Sequence, residues 1–117
     1  MYKFPPLAAL LAVAAPALAD GSFFVAPARA DAPTILTLQN HKFSPNVIRI
    51  KANQPAMITM VNKDATAEEF DSSDLKVEKV VAGNQSGNIR IRALKPGTYK
   101  FMGEYHAATA QGIVIAQ

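Results

Sequence analysis

Lys95-Pro-Gly-Thr-Tyr-Lys-Phe-Met-Gly-Glu-Tyr-His106, running on through Thr109 to Gly112-Ile-Val-Ile115, decides how this chain folds. Lys95-Pro96-Gly97 marks a tight turn. The strand that follows sends Tyr99 and Phe101 to one side and Thr98, Lys100 and Met102 to the other. A loop carrying Glu104 and His106 then leads into Ile113-Val-Ile115, which closes a sheet. Imidazole and carboxylate donors slung between two core strands are suited to a metal ion. The chain has no cysteine. Disulfides and thiolate ligands are therefore both excluded, and the domain must be held by its core alone.

Working outward, the remaining segments read as short strands separated by turn residues. Thr34-Ile-Leu-Thr-Leu38 is a β-rich opening. From Asn46 to Lys51, Val47, Arg49 and Lys51 share one face while Ile48 and Ile50 share the other, and Pro45 sits at the start, where a missing N–H is tolerated. Ala56-Met-Ile-Thr-Met-Val61 is nearly all apolar, as expected of a strand covered on both sides. Asn88-Ile-Arg-Ile-Arg92 places Ile89 and Ile91 inward and both arginines outward. Ser72, Ser73 and Asp74 offer helix-capping chemistry, but charge dominates residues 71–78 and irregular structure is expected there. Six or seven strands at this spacing predict an all-β, Greek-key β-sandwich in a single domain.

The first thirty residues read as a secretory leader rather than as fold. Lys3 supplies a positive start, Leu7 to Ala15 is an apolar run, and small residues follow at exit-type positions. Two exits are open, after Ala30 or after Ala19, and the first is favoured because strand-like sequence begins only near Thr34. Pro16 and Asp20 interrupt the run, which falls short of the roughly 20 apolar residues of a bilayer span. An exported domain of residues 31–117 with no remaining membrane span is the expectation. Of 12 basic and 9 acidic side chains, Lys3, Arg29 and Asp20 precede the Ala30 exit, leaving ten, eight and a net charge of +2. The basic residues are scattered singly, with no basic run or interleaved aromatics, so nucleic acid is not an expected partner.

Three motifs in order resemble the exported cupredoxins. Phe43-Ser-Pro45 followed by Val47-Ile-Arg-Ile50 resembles their opening strand pair. Asn62-Lys-Asp64 followed by Glu68-Glu-Phe70 resembles the loop that carries their first histidine ligand, and Tyr99 to Thr109 is similar to their closing Cys–His–Met loop. Carried over position by position, Glu68 or Glu69 stands at the first histidine, Gly103 at the cysteine and Thr109 at the methionine. Only His106 matches. A blue copper centre needs the thiolate, so a copper electron carrier is disfavoured. The pattern looks like the cysteine-lacking, carboxylate-containing cupredoxin-like proteins of bacterial ferrous-iron uptake systems. That resemblance implies a periplasmic protein beside a membrane iron permease and other exported iron-uptake components. In some members a further ligand precedes the opening motif, at the position of His41.

The residues themselves support a similar reading. His41 and His106 are the only histidines, and each lies close to a sharp structural marker. Glu68, Glu69, Asp71 and Glu104 bring carboxylates to the same region, and imidazole with carboxylate suits a divalent ion such as copper or iron. Alternation lets only one of the adjacent glutamates point inward; Glu69, sharing parity with Asp71, is preferred to Glu68. The expected metal set is thus His41, Glu69, Glu104 and His106, with Asp71 in reserve and Glu68 as the rival. Glu104 could equally be a surface charge, and Met57, Met60 and Met102 read as packing residues. No nucleophile–base pair, phosphate loop or three-histidine zinc set is present, so any catalysis would be metal redox, at most ferrous oxidation. A metal-free interaction module is the remaining alternative.

Overall fold

The computed structural model describes residues 32–117, and the leader reading lies outside them. Among the described residues nine strands run in order: β1 (Thr34–Gln39), β2 (Lys42–Ser44), β3 (Val47–Ile50), β4 (Ala56–Asn62), β5 (Glu68–Ser72), β6 (Val77–Val81), β7 (Ser86–Ile91), β8 (Gly97–Gly103) and β9 (Gln111–Ala116). They form a four-stranded sheet, β2-β1-β4-β7, and a five-stranded sheet, β3-β9-β8-β5-β6. The β1–β4 and β3–β9 pairs are parallel and the others antiparallel. The all-β sandwich read from the sequence is the architecture found. Among the described residues no helix is long and apolar enough to cross a membrane.

The inward rows are those the alternation indicates for β3, β7 and β8: Ile48, Ile89, Ile91 and Phe101 are buried while Arg90 and Lys100 are exposed. On β4, Ile58, Met60 and Asn62 are buried and the intervening residues half-buried, as a nearly continuous apolar run requires. Residues 71–78 differ from expectation. Asp71 and Ser72 end β5, Val77 and Glu78 begin β6, and a turn joins them. Ser72 Oγ donates to the Lys100 carbonyl and accepts from Leu75 N–H, so its capping chemistry closes a hairpin instead of a helix.

Three aromatic rings tie the layers together beneath the loops. Phe70 and Phe101 stack with centroids 4.9 Å apart, and Phe43 meets Phe101 edge-on at 5.3 Å and Phe70 at 6.4 Å. Such pairs add roughly 0.5–1.5 kcal/mol each beyond the area they bury. Each ring lies two residues from a group at the loop end: Phe43 from His41, Phe70 from Glu68, Phe101 from Gly103. Strand alternation therefore carries the rigidity of this cluster directly to Glu68 and Gly103.

Candidate metal centre

His41 is placed by a two-residue hairpin. Gln39 pairs with Lys42 across β1 and β2, leaving Asn40 and His41 as the loop, both with positive φ (55° and 58°). That is the conformation a tight primed hairpin turn demands, and it is costly for a residue with a Cβ. Asp64 holds it: its two oxygens accept the N–H groups of Asn40 at 2.7 Å and His41 at 2.9 Å. Asp64 is itself set by Asn62, which is 1% exposed; Oδ1 accepts the Asp64 N–H at 3.0 Å, and Nδ2 donates to the carbonyls of Thr66 and Val81. The Asn62-x-Asp64 pattern is an Asx-type turn signal, and it is what could have identified Asp64 as part of the site.

His106 ends a single 3₁₀ turn, Glu104–His106, and its carbonyl accepts the N–H of Ala110 at 2.9 Å. Its ring lies on that of His41, centroids 3.5 Å apart and planes 11° from parallel. Nδ1 of His106 is 2.6 Å from Oε2 of Glu68. Glu68 is fully buried, and its Oε1 accepts the backbone N–H groups of Glu69 and Tyr105. The tautomer in which Nδ1 donates to the Glu68 carboxylate is the one that keeps the ring's lone pair on Nε2. Asp64 completes the group, Oδ2 lying 4.0 Å from His41 Nε2.

The structure divides the six expected ligands in two. His41, His106 and Glu68 converge. Glu69 and Asp71 lie on the other face of β5, because Glu68, Phe70 and Ser72 form its buried row. The parity that favoured Glu69 is thus corrected: Phe70 must face the core, and residues an even number away face with it. On the outer face Glu69 hydrogen-bonds the side chain of Glu104, which raises the Glu69 pKa above its ordinary 4.5; desolvation and the charges of Glu104, Glu78 and Asp71 add to the effect. Such a raised pKa contributes stability below pH 4.5 that is lost as pH rises through the folded value. Glu69→Gln keeps a donor for Glu104 without the second charge. It should raise the melting temperature modestly at pH 7, with the gain disappearing below pH 4.5.

Asp64 shows the opposite behaviour. Burial works to raise its pKa, but the N–H groups of His41 and Asn40, helped by the nearby imidazoles, hold it below the ordinary 3.8. Its stabilisation is complete above about pH 3.8 and is lost as pH falls through the lower folded value. Asp64→Asn should therefore cost about 1 kcal/mol at pH 7, and thermal unfolding against pH should show the two proteins converging in acid.

The family model for the cupredoxin-like domain matches residues 6–116. This chain belongs to the cupredoxin-like family. An uncharacterized protein of Rickettsia prowazekii (strain Madrid E) is 41% identical over 80 residues, covering 68% of this chain and 64% of that protein, so the chain spans less than two thirds of that relative's length. Among solved structures, amicyanin from Paracoccus versutus superposes with a TM-score of 0.58 at 16% identity, over 77% of this chain and 85% of that one. The Cu(I) form of an amicyanin mutant gives 0.61 at 16% identity, over 76% and 86%. At that identity the likeness establishes the fold alone.

A cupredoxin fold raises the question of whether the residues fit copper. They do not fit a blue centre: a Cβ built on Gly103 would lie 2.7 Å from the Glu68 carboxyl carbon, so carboxylate stands where a thiolate would begin. They do fit, by donor chemistry, a borderline divalent ion, which takes imidazole and carboxylate. Among the described residues no three His, Asp or Glu side chains are already arranged around a single point. Glu68 holds the His106 ring through Nδ1, the relation in which a carboxylate orients a metal-binding histidine whose other nitrogen takes the ion.

Proposed function

We propose that this protein is an exported, cupredoxin-like carrier of a divalent metal, copper or iron, serving a bacterial ferrous-iron uptake system. The observation that carries the metal reading is the contact of His106 Nδ1 with the fully buried Glu68, with His41, the chain's other histidine, lying against the same ring. A fold of this kind gains no stability from burying a carboxylate against an imidazole that apolar residues in that space would not usually supply as well or better. The residues proposed to serve the ion are His106, His41 and Glu68, with Asp64 fixing the His41 turn. Bound there, the ion would supply redox or Lewis-acid capacity to a site otherwise lacking both.

Export is supported by the leader-like pattern of the first thirty residues, and a bacterial setting by the rickettsial relative. The iron-uptake role, with a membrane iron permease and other exported components as partners, is supported by the motif resemblance of Asn62–Phe70 and Tyr99–Thr109. Absence of cysteine argues against a blue-copper electron carrier. Calorimetric titration of the residue 31–117 protein with Cu²⁺, Zn²⁺ and, under anaerobic conditions, Fe²⁺ tests the reading. One ion per chain with micromolar or tighter affinity for Cu²⁺ or Fe²⁺ is expected; no binding of any of the three would reject it.

A further inference from the structure

Gly103 has no conformational reason to be glycine. Its φ and ψ are −93° and 108°, extended backbone open to any residue, and its N–H pairs with the Ala110 carbonyl at 2.8 Å as any N–H could. The reason lies in space. Phe70 pairs with Gly103 across β5 and β8, which sets Glu68 as the diagonal neighbour on the inner face. A Cβ at 103 would come within 2.7 Å of the Glu68 carboxyl carbon, 2.8 Å of Oε2 and 2.9 Å of the Ala110 methyl. Real side chains do not approach so closely.

Glu68 has no route of retreat. Its carboxylate is held by Tyr105 N–H at 2.8 Å, Glu69 N–H at 3.0 Å and His106 Nδ1 at 2.6 Å, with no solvent exposure. Turning it aside to admit a side chain at 103 breaks the His106 contact first, because Oε2 is both the atom that holds His106 and the oxygen nearest the added carbon.

We infer that Gly103 and Glu68 act as one specificity-determining unit: the missing side chain at 103 is what lets the carboxylate fill the site. A thiolate at 103 and a carboxylate at 68 then exclude one another. The consequence for ligand choice rests on the metal-carrier reading: the site offers imidazole oriented by a buried carboxylate to a borderline divalent ion and withholds sulfur from Cu(I). Gly103 is a positioning residue that acts through Glu68 on the orientation of His106.

The test is a double-mutant cycle in metal-free protein, so its outcome does not depend on whether the chain carries metal. Gly103→Ala alone should lower the melting temperature by on the order of 5–10 °C, the usual scale for an overpacked core position in a small domain. Against Glu68→Ala the same change should cost clearly less, with only the Ala110 contact left to relieve; equal costs in both backgrounds would overturn the coupling. A local readout on Gly103→Ala alone guards against poor folding of the double variant. The proton that His106 Nδ1 shares with Glu68 should give a strongly downfield NMR resonance in the parent and lose it in Gly103→Ala. Its persistence unchanged would show that residue 103 does not position Glu68. With Cu²⁺ added, Gly103→Cys should show no intense sulfur-to-copper absorption, whereas Gly103→Cys combined with Glu68→Ala should; equal bands in both would overturn mutual exclusion. A parent chain that bound no metal would remove the carrier reading and leave the outcome of the cycle untouched.

Discussion

Replacing Glu68 with alanine should destabilise the metal-free domain by about 3–5 kcal/mol, a very large effect for one polar side chain. Three donors converge on that carboxylate: the N–H groups of Glu69 and Tyr105 and the Nδ1 of His106. Each buried donor left without a partner costs roughly 1–3 kcal/mol, and partial access of water to the Tyr105 and Glu69 groups places the sum near the lower bound. In a domain of this size the melting temperature should fall by more than about 12 °C. Glu68→Gln, which keeps the shape and one oxygen, should lose markedly less. Chemical denaturation of the three proteins at pH 7 provides the comparison. A Glu68→Ala protein within about 0.5 kcal/mol of the parent, the range of an ordinary surface site, would mean the carboxylate is not the hub of this end of the sandwich.

Removing the His106 ring should weaken divalent-ion binding by at least about 100-fold, since even losing an outer-shell partner typically costs 10–100-fold. His106 is the residue on which the arrangement turns. Its Nδ1 is engaged by Glu68 and its face by His41, so Nε2 is the nitrogen left to bind an ion. His41→Ala should lose affinity as well, while Glu68→Gln should lose less than either, the orienting contact being weakened but not abolished. Calorimetric titration with Cu²⁺ should rank the three in that order. His106→Ala binding as tightly as the parent would place the ion elsewhere.

Much of the sandwich was legible because apolar alternation was intact where it was read. Ile48, Ile89, Ile91 and Phe101 all face the core as period-two patterning dictates. The β5–β6 hairpin was not. Its inward row, Glu68-Phe70-Ser72, carries a single apolar side chain, so the segment has no hydrophobic period to detect and its charges read as loop. The preference for Glu69 over Glu68 rests on its shared parity with Asp71, but a buried Phe70 imposes the opposite parity, which drives Glu68 inward and turns Glu69 and Asp71 out. The convergence of His41 and His106 was foreseeable from their loop positions. Their stacking was not, since it depends on the positive-φ hairpin that Asp64 holds from a loop far away in sequence.

Pulsed EPR of the Cu²⁺-loaded residue 31–117 protein addresses a shared His41–His106 centre most directly, because coordinated imidazole leaves its own nitrogen signature on the copper spectrum. Two coordinated imidazoles in the parent, falling to one in His41→Ala and one in His106→Ala, is the expected result. A parent spectrum with no histidine nitrogen, or one that neither substitution alters, would contradict it.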